Sequence, residues 1–188
     1  ALDFTLANPK RYAPIQTLAA ALTSPFEDIR RRICTYIQQH PESAYQSMLA
    51  TLATDTDAQV RTEALALLVN GAQVPAVVAA LASPFVDIQV QAASALASWG
   101  DRRALPILLE LLARPEPRTP AERPVWLDLT QRTLQALGQL GAPEAFTAIC
   151  GFIGASEASL VSAAAQALPW VATPQQQAKL RQLQQDAR

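Results

Sequence analysis

Apolar and small residues recur along this chain at intervals of four, four and usually three positions. Ile29 leads into Ile33 and Ile37, Val60 into Ala64 and Leu68, and Ile88 into Ala92 and Leu96. Leu129 leads likewise into Thr133 and Leu137, and Leu160 into Ala164 and Leu168. That spacing puts each set on one face of a 3.6-residue helix, and no segment alternates with the period of two that a half-buried strand needs. The anchors Ile29, Val60, Ile88, Leu129 and Leu160 are evenly spaced except for one longer interval, between Ile88 and Leu129. Before each anchor runs a shorter apolar segment: Pro14 to Leu22, Ala44 to Leu52, Val74 to Leu81, Ala104 to Leu112 and Glu144 to Ile153. The pattern predicts five helix pairs, a shorter helix A followed by a longer helix B.

The pairs are copies of one another. Leu22-Thr-Ser-Pro-Phe-Glu-Asp-Ile29 returns as Leu81-Ala-Ser-Pro-Phe-Val-Asp-Ile88, with six of eight residues identical, two units further on. A period of roughly 30 residues marks a solenoid, because one helix pair cannot bury its own apolar face and stacked neighbours share a core. Punctuation agrees. Pro14, Pro41 and Pro143 sit where a first helical turn tolerates proline. Gly71, Gly100 and Gly141 sit where a left-handed residue ends helix B. The expected repeats span approximately 14–40, 41–71, 72–101, 102–141 and 142–172, in a single domain over 1–188. A capping helix over 173–188 follows, with Thr173 as N-cap, Pro174 first in the helix, Gln177 closing a capping box, and Leu180 and Leu183 forming a narrow seam. Leu2, Phe4, Leu6 and Tyr12 are expected to cover the first pair.

Ile88-Gln-Val-Gln-Ala-Ala-Ser-Ala-Leu-Ala-Ser-Trp-Gly-Asp101, Val60-Arg61 and Leu134-Gln-Ala-Leu-Gly-Gln-Leu-Gly141 resemble the second helix of HEAT repeats, in the short form of phycobilisome lyase-like proteins. The resemblance covers roughly residues 14 to 171. It implies an all-α, right-handed α-solenoid. It also implies that Asp55 and Arg61 belong to the Asp–Arg pairing that links neighbouring HEAT units. Fold alone does not name a function.

Composition narrows the classes. The chain is 50% hydrophobic but only 16% charged, with a formal net charge of −1 and pI near 5.8. No general attraction to nucleic acid or an anionic membrane follows. Arg30, Arg31 and Arg32 form a basic run, with Lys10 and Arg11 upstream, but it does not continue as a stripe through later repeats. No run of about 18 apolar residues would span a bilayer. Ala1-Leu2-Asp3-Phe4 does not read as a signal peptide, and the absent initiator Met suggests trimming or a fragment; a cytoplasmic protein is expected. Cys34 and Cys150 are no disulfide framework and fall on apolar helical faces, which predicts buried thiols. His40 stands alone at a helix end, so no metal or cofactor site and no catalytic set is expected. Carboxylates such as Glu27, Asp28, Asp55, Asp57 and Asp87 fall in A–B turns, where they favour the start of helix B.

What remains is surface for a partner. Helical geometry puts the face of helix B opposite the core at +2, +6 and +9 from each anchor. That row reads Arg31, Thr35, Gln38; Thr62, Ala66, Val69; Val90, Ser94, Ala97; Gln131, Gln135, Gly138; and Ser162, Gln166, Pro169. It is weakly charged and mildly apolar in the middle, which suits a helix or loop of another protein. The expected contacts are Arg31, Thr35, Gln38, Thr62, Val69, Val90, Ser94, Gln131 and Gln135. A second candidate is the insertion Arg114 to Pro124, whose four prolines favour an extended path, with Arg118, Arg123 and Trp126 as contacts. The leading expectation is a non-enzymatic scaffold or assembly factor that binds a protein on the concave helix-B face. The resemblance implies an alternative, a phycobilin lyase-related protein that handles bilin or a phycobiliprotein.

Overall fold

The computed structural model describes residues 14–178. Among the described residues every regular element is helical, and no helix is long and apolar enough to cross a membrane. Short and long helices alternate: α1 (Pro14–Ala21), α2 (Glu27–Gln39), α3 (Gln46–Leu52), α4 (Ala58–Asn70), α5 (Val74–Ala80), α6 (Val86–Ser98), α7 (Leu105–Leu112), α8 (Arg123–Leu140), α9 (Phe146–Cys150) and α10 (Ala158–Val171). Three of the short helices are entered through a 3-10 turn, at Ser43–Tyr45, Arg102–Ala104 and Pro143–Ala145.

Contacts divide the chain into two compact units, Ala1–Ile88 and Gln89–Arg188. In the first, α4 packs against α3, α2 and α5. In the second, α8 and α10 form the most extensive contact, with α7 on α8 and α9 on α10. The periodic pattern explains the cores. Every side chain at +4 and +8 of the long helices is buried: Ile33, Ile37, Ala64, Leu68, Ala92, Leu96, Thr133, Leu137, Ala164 and Leu168. Thr133 is accommodated because its hydroxyl donates to the Leu129 carbonyl at 2.8 Å, which satisfies a polar group that would otherwise be costly to bury.

Helix ends follow the expected chemistry with shifts of one residue. Asp57 caps α4 by accepting from the amides of Gln59 and Val60. At the other end of α4 the left-handed residue is Ala72 (φ 49°), whereas Gly71 has φ −81°. Gln73 N donates to Leu68 O and Ala72 N to Val69 O, both at 2.9 Å, so a full Schellman closure forms with alanine at its strained position. Gly100 (φ 72°) and Gly141 (φ 64°) do occupy left-handed conformations. Pro41 precedes the turn that opens α3 instead of lying in it. Helix α8 starts at Arg123, well before its anchor, because Pro124 fits a first turn; the insertion is shorter than the proline spacing suggested. The capping box after α10 closes on Gln176: its Oε1 accepts from Thr173 N at 2.8 Å, the spacing of three the motif requires. Gln177 instead donates to the carbonyls of Pro169 and Ala172. Leu180 and Leu183, and the segment with Leu2, Phe4, Leu6, Lys10, Arg11 and Tyr12, lie outside the described residues.

Cys34 is buried and Cys150 only half-buried. Burial, with the charges of Glu63 and Asp55, pushes the Cys34 thiol up to about 12. His40 closes α2, its amide donating to Tyr36 O and its ring 4.5 Å from the Tyr36 ring.

Candidate partner-binding groove

Two arginines of the basic run, Arg30 and Arg31, face carboxylates. Arg30 donates from Nε and Nη2 to the two oxygens of Asp55, at 2.6 and 2.8 Å, and from Nη1 to Ser24 O. Arg31 lies 3.7 Å from Asp28 and 3.9 Å from Glu63, and its buried Nε has no hydrogen-bond partner among the described residues. Arg61 pairs with Asp87, not with Asp55, so the two residues singled out by the HEAT pattern each bridge to a different neighbour.

The helix-B row behaves differently along its length. Thr35, Gln38 and Thr62 are exposed, and Ala66 and Val69 half-buried. Val90 and Ala97 are 1% exposed and offer no surface, because the long helices bury a wider face than a simple amphipathic stripe. Ser94 is half-buried, with its hydroxyl oxygen hidden and without a hydrogen bond among the described residues. Gln131 is half-buried; Gln135, Ser162, Gln166 and Pro169 are exposed.

In the second unit part of this row opens into a groove of about 600 Å³. Gln135, Gly138 and Gln139 of α8 line one side, Ala163, Gln166, Ala167 and Trp170 of α10 the other, with Ser98. Gly138 makes it possible. A Cβ there would come within 3.0 Å of both Cα and Cβ of Ala167, so the close approach of α8 and α10 depends on a missing side chain. The lining combines small residues, three glutamine amides and Trp170, which is 74% exposed. None of the lining side chains is ionisable. Such a surface can offer amide donors and acceptors and a flat aromatic face, but no fixed charge and no acid or base. Among the described residues no group of three or more His, Cys, Asp or Glu is arranged to hold a metal ion.

Gln135, Gln166 and Gly138 were legible in the +6 and +9 positions. Ser98, Gln139 and Trp170 were missed: all three stand at +10, and Ala163 and Ala167 at +3 and +7. The available signal was the +3, +7, +10 stripe of α10, which reads Ala, Ala, Trp.

The insertion is tied down by its own charges. Arg123 bridges Glu116 within the loop and Glu157 before α10, and those hydrogen bonds raise its pKa above the usual guanidinium value. The half-buried Trp126 donates from its indole nitrogen to Arg114 O at 3.3 Å. Arg118 is exposed.

No protein-family model matches the chain. No curated protein matches it either. Among solved structures it is similar to the complex of CpcE and CpcF of phycocyanin lyase from Nostoc sp. PCC7120, with TM-score 0.58 and 23% identity over 88% of this chain and 68% of that one. It is also similar to an engineered protein, with TM-score 0.51 and 17% identity over 88% of this chain and 82% of that one. The described residues have an all-helical repeat fold similar to that of the phycocyanin lyase complex.

Proposed function

We propose that this chain is a phycobilin lyase-related protein that handles a bilin or a phycobiliprotein together with a partner protein. The observation that carries the reading is the fold likeness to the CpcE–CpcF phycocyanin lyase complex across 88% of the chain. The groove supports it: about 600 Å³ falls within the roughly 300–1,000 Å³ typical of small-molecule sites. Trp170 offers a face on which a conjugated ring could stack. The reading includes a right-handed solenoid of five HEAT-like units with the bounds given above, a C-terminal cap, and action in the cytoplasm.

A second reading keeps the partner and drops the pigment. It is a non-enzymatic scaffold that receives a protein segment on the helix-B face. The uncharged lining favours it, since a tetrapyrrole bearing propionates gains most from arginine or lysine, whereas neutral amides suit a polypeptide.

Titration of the protein with biliverdin, read by visible absorbance and tryptophan fluorescence, separates the two. The lyase-related reading expects a saturable spectral shift that weakens at least about tenfold in Trp170→Ala, the loss of one stacking contact. No shift, and no co-elution with a purified phycobiliprotein, would overturn it and leave the scaffold.

A further inference from the structure

The duplicated motif forms the same turn twice. Ser83 Oγ accepts from Phe85 N at 3.2 Å, and Ser24 Oγ accepts from Phe26 N at 3.3 Å. The following helices start at equivalent positions, Val86 and Glu27, and both run 13 residues. In the second copy the turn holds a guanidinium. Arg61, on the long helix of the preceding pair, lies with its Cζ 4.1 Å above the Phe85 ring. Its Nη2 and Nε lie 2.9 and 3.1 Å from Asp87 Oδ2. An aromatic face and a carboxylate on the same cation form a seat selective for arginine, whose planar group can stack and donate at once.

Among the described residues, the first copy carries the same seat without its occupant. Phe26 is 65% exposed and the Asp28 side chain 78% exposed. Arg31 approaches Asp28 only to 3.7 Å, too far for a hydrogen bond. Glu27 adds a second carboxylate beside it.

We propose that Phe26 and Asp28 form a docking socket for an arginine presented by a helix of a different protein, which stacks against the first helix pair as the Arg61 helix does against the Phe85 turn. The occupant follows from the internal template, because the equivalent two side chains, Phe85 and Asp87, already hold a guanidinium in the second copy of the motif. Helix α10 of a second copy would not supply it. The position equivalent to Arg61 in the last long helix is Val161. The socket lies in the first unit, so this inference stands or falls independently of the groove.

The probes are a synthetic peptide of residues 57–72, which contains Arg61, its Arg61→Gln form, and arginine amide against lysine amide. Each is titrated into the full chain and followed by NMR at Phe26 and Asp28. Saturable shifts at these two residues are expected from the Arg61 peptide. They should weaken about tenfold or more with the Gln peptide, since both contacts to the guanidinium are lost. The Phe26→Leu and Asp28→Asn chains should lose the shifts while the rest of the spectrum is preserved. Arginine amide should move the signals at lower concentration than lysine amide. Equal response to the Arg and Gln peptides, or no response to either amide, overturns the socket. Movement of the Phe26 and Asp28 signals in Lys10→Ala or Arg11→Ala, without any probe, overturns the partner assignment in favour of the chain's own segment.

Discussion

Arg30 and Asp55 meet in a two-pronged hydrogen bond across the first two helix pairs, with 11% and 8% of their side chains exposed. Arg30 also donates to Ser24 O at 2.6 Å, so one guanidinium ties its own turn to the next. Arg61 repeats the arrangement through Asp87 and Thr56 O. Arg30→Ala leaves the Asp55 carboxylate without its main partner in a mostly buried site. The expected loss is about 2 kcal/mol, in the range for hydrogen bonds to charged groups, read as a lower urea midpoint at unchanged slope. A change below about 0.5 kcal/mol would mean that solvent satisfies the Asp55 carboxylate.

The same pair sets an acid limit. Burial raises the Asp55 pKa, but the Arg30 hydrogen bond, the Asp57 amide and the nearby arginines outweigh it, and the net value lies below the ordinary 3.8. Asp101 is held down to about 2, first by its hydrogen bond from the Arg103 side chain and then by the Arg103 amide. A depressed folded-state pKa contributes stability that is complete above the unfolded value and lost as pH falls through the folded one. Stability should therefore be insensitive to these groups above about pH 4 and decline between 3.8 and about 2. A decline centred near pH 6 would point to a different group.

Gly138 faces the Ala167 backbone with no room for a larger side chain. Gly138→Val should force α8 and α10 apart at a cost of about 1–3 kcal/mol. In a chain of this size that lowers Tm by roughly 2–4 °C for each kcal/mol. An unchanged Tm would mean the helices separate freely, and the groove is not rigid.

Ala72 holds a left-handed conformation (φ 49°) that costs an L-residue about 1–2 kcal/mol. Ala72→Gly relieves that strain and loses part of the gain to chain entropy, so stabilisation of about 0.5–1 kcal/mol is expected in thermal unfolding. Destabilisation would show that the methyl group makes a contact worth more than the strain.

Cys34 is buried with its thiol pushed up to about 12, whereas Cys150 is half-buried. The thiolate is the reactive form, so an aromatic disulfide reagent at about pH 8 should modify Cys34 only as the protein unfolds. Rapid modification of Cys34 in the native state would reveal a local opening of α2.

Much of the fold was written in one dimension. The anchors, with the side chains at +4 and +8 from each, named the buried face of every long helix. The motif shared by the segments 22–29 and 81–88 announced the turn that both form. The groove was half legible, because periodicity assigns a face but not its width. Val90 and Ala97 look identical in pattern to exposed positions until the packing of neighbouring elements covers them. Gln139 and Trp170 sit one step beyond the counted row, and the close approach of α8 and α10 that Gly138 permits brings their helices together around a groove.

By itself, then, the sequence determined that helices form, which side of each long one is apolar, and that the motif at 22–29 recurs at 81–88, since these depend on local backbone preference and a 3.6-residue period. Tertiary structure decided which arginine pairs with which carboxylate, that Arg61 lies over Phe85 while Phe26 remains open, and that α8 and α10 frame a groove. Those outcomes depend on distances between residues far apart along the chain, which packing sets and no local pattern encodes.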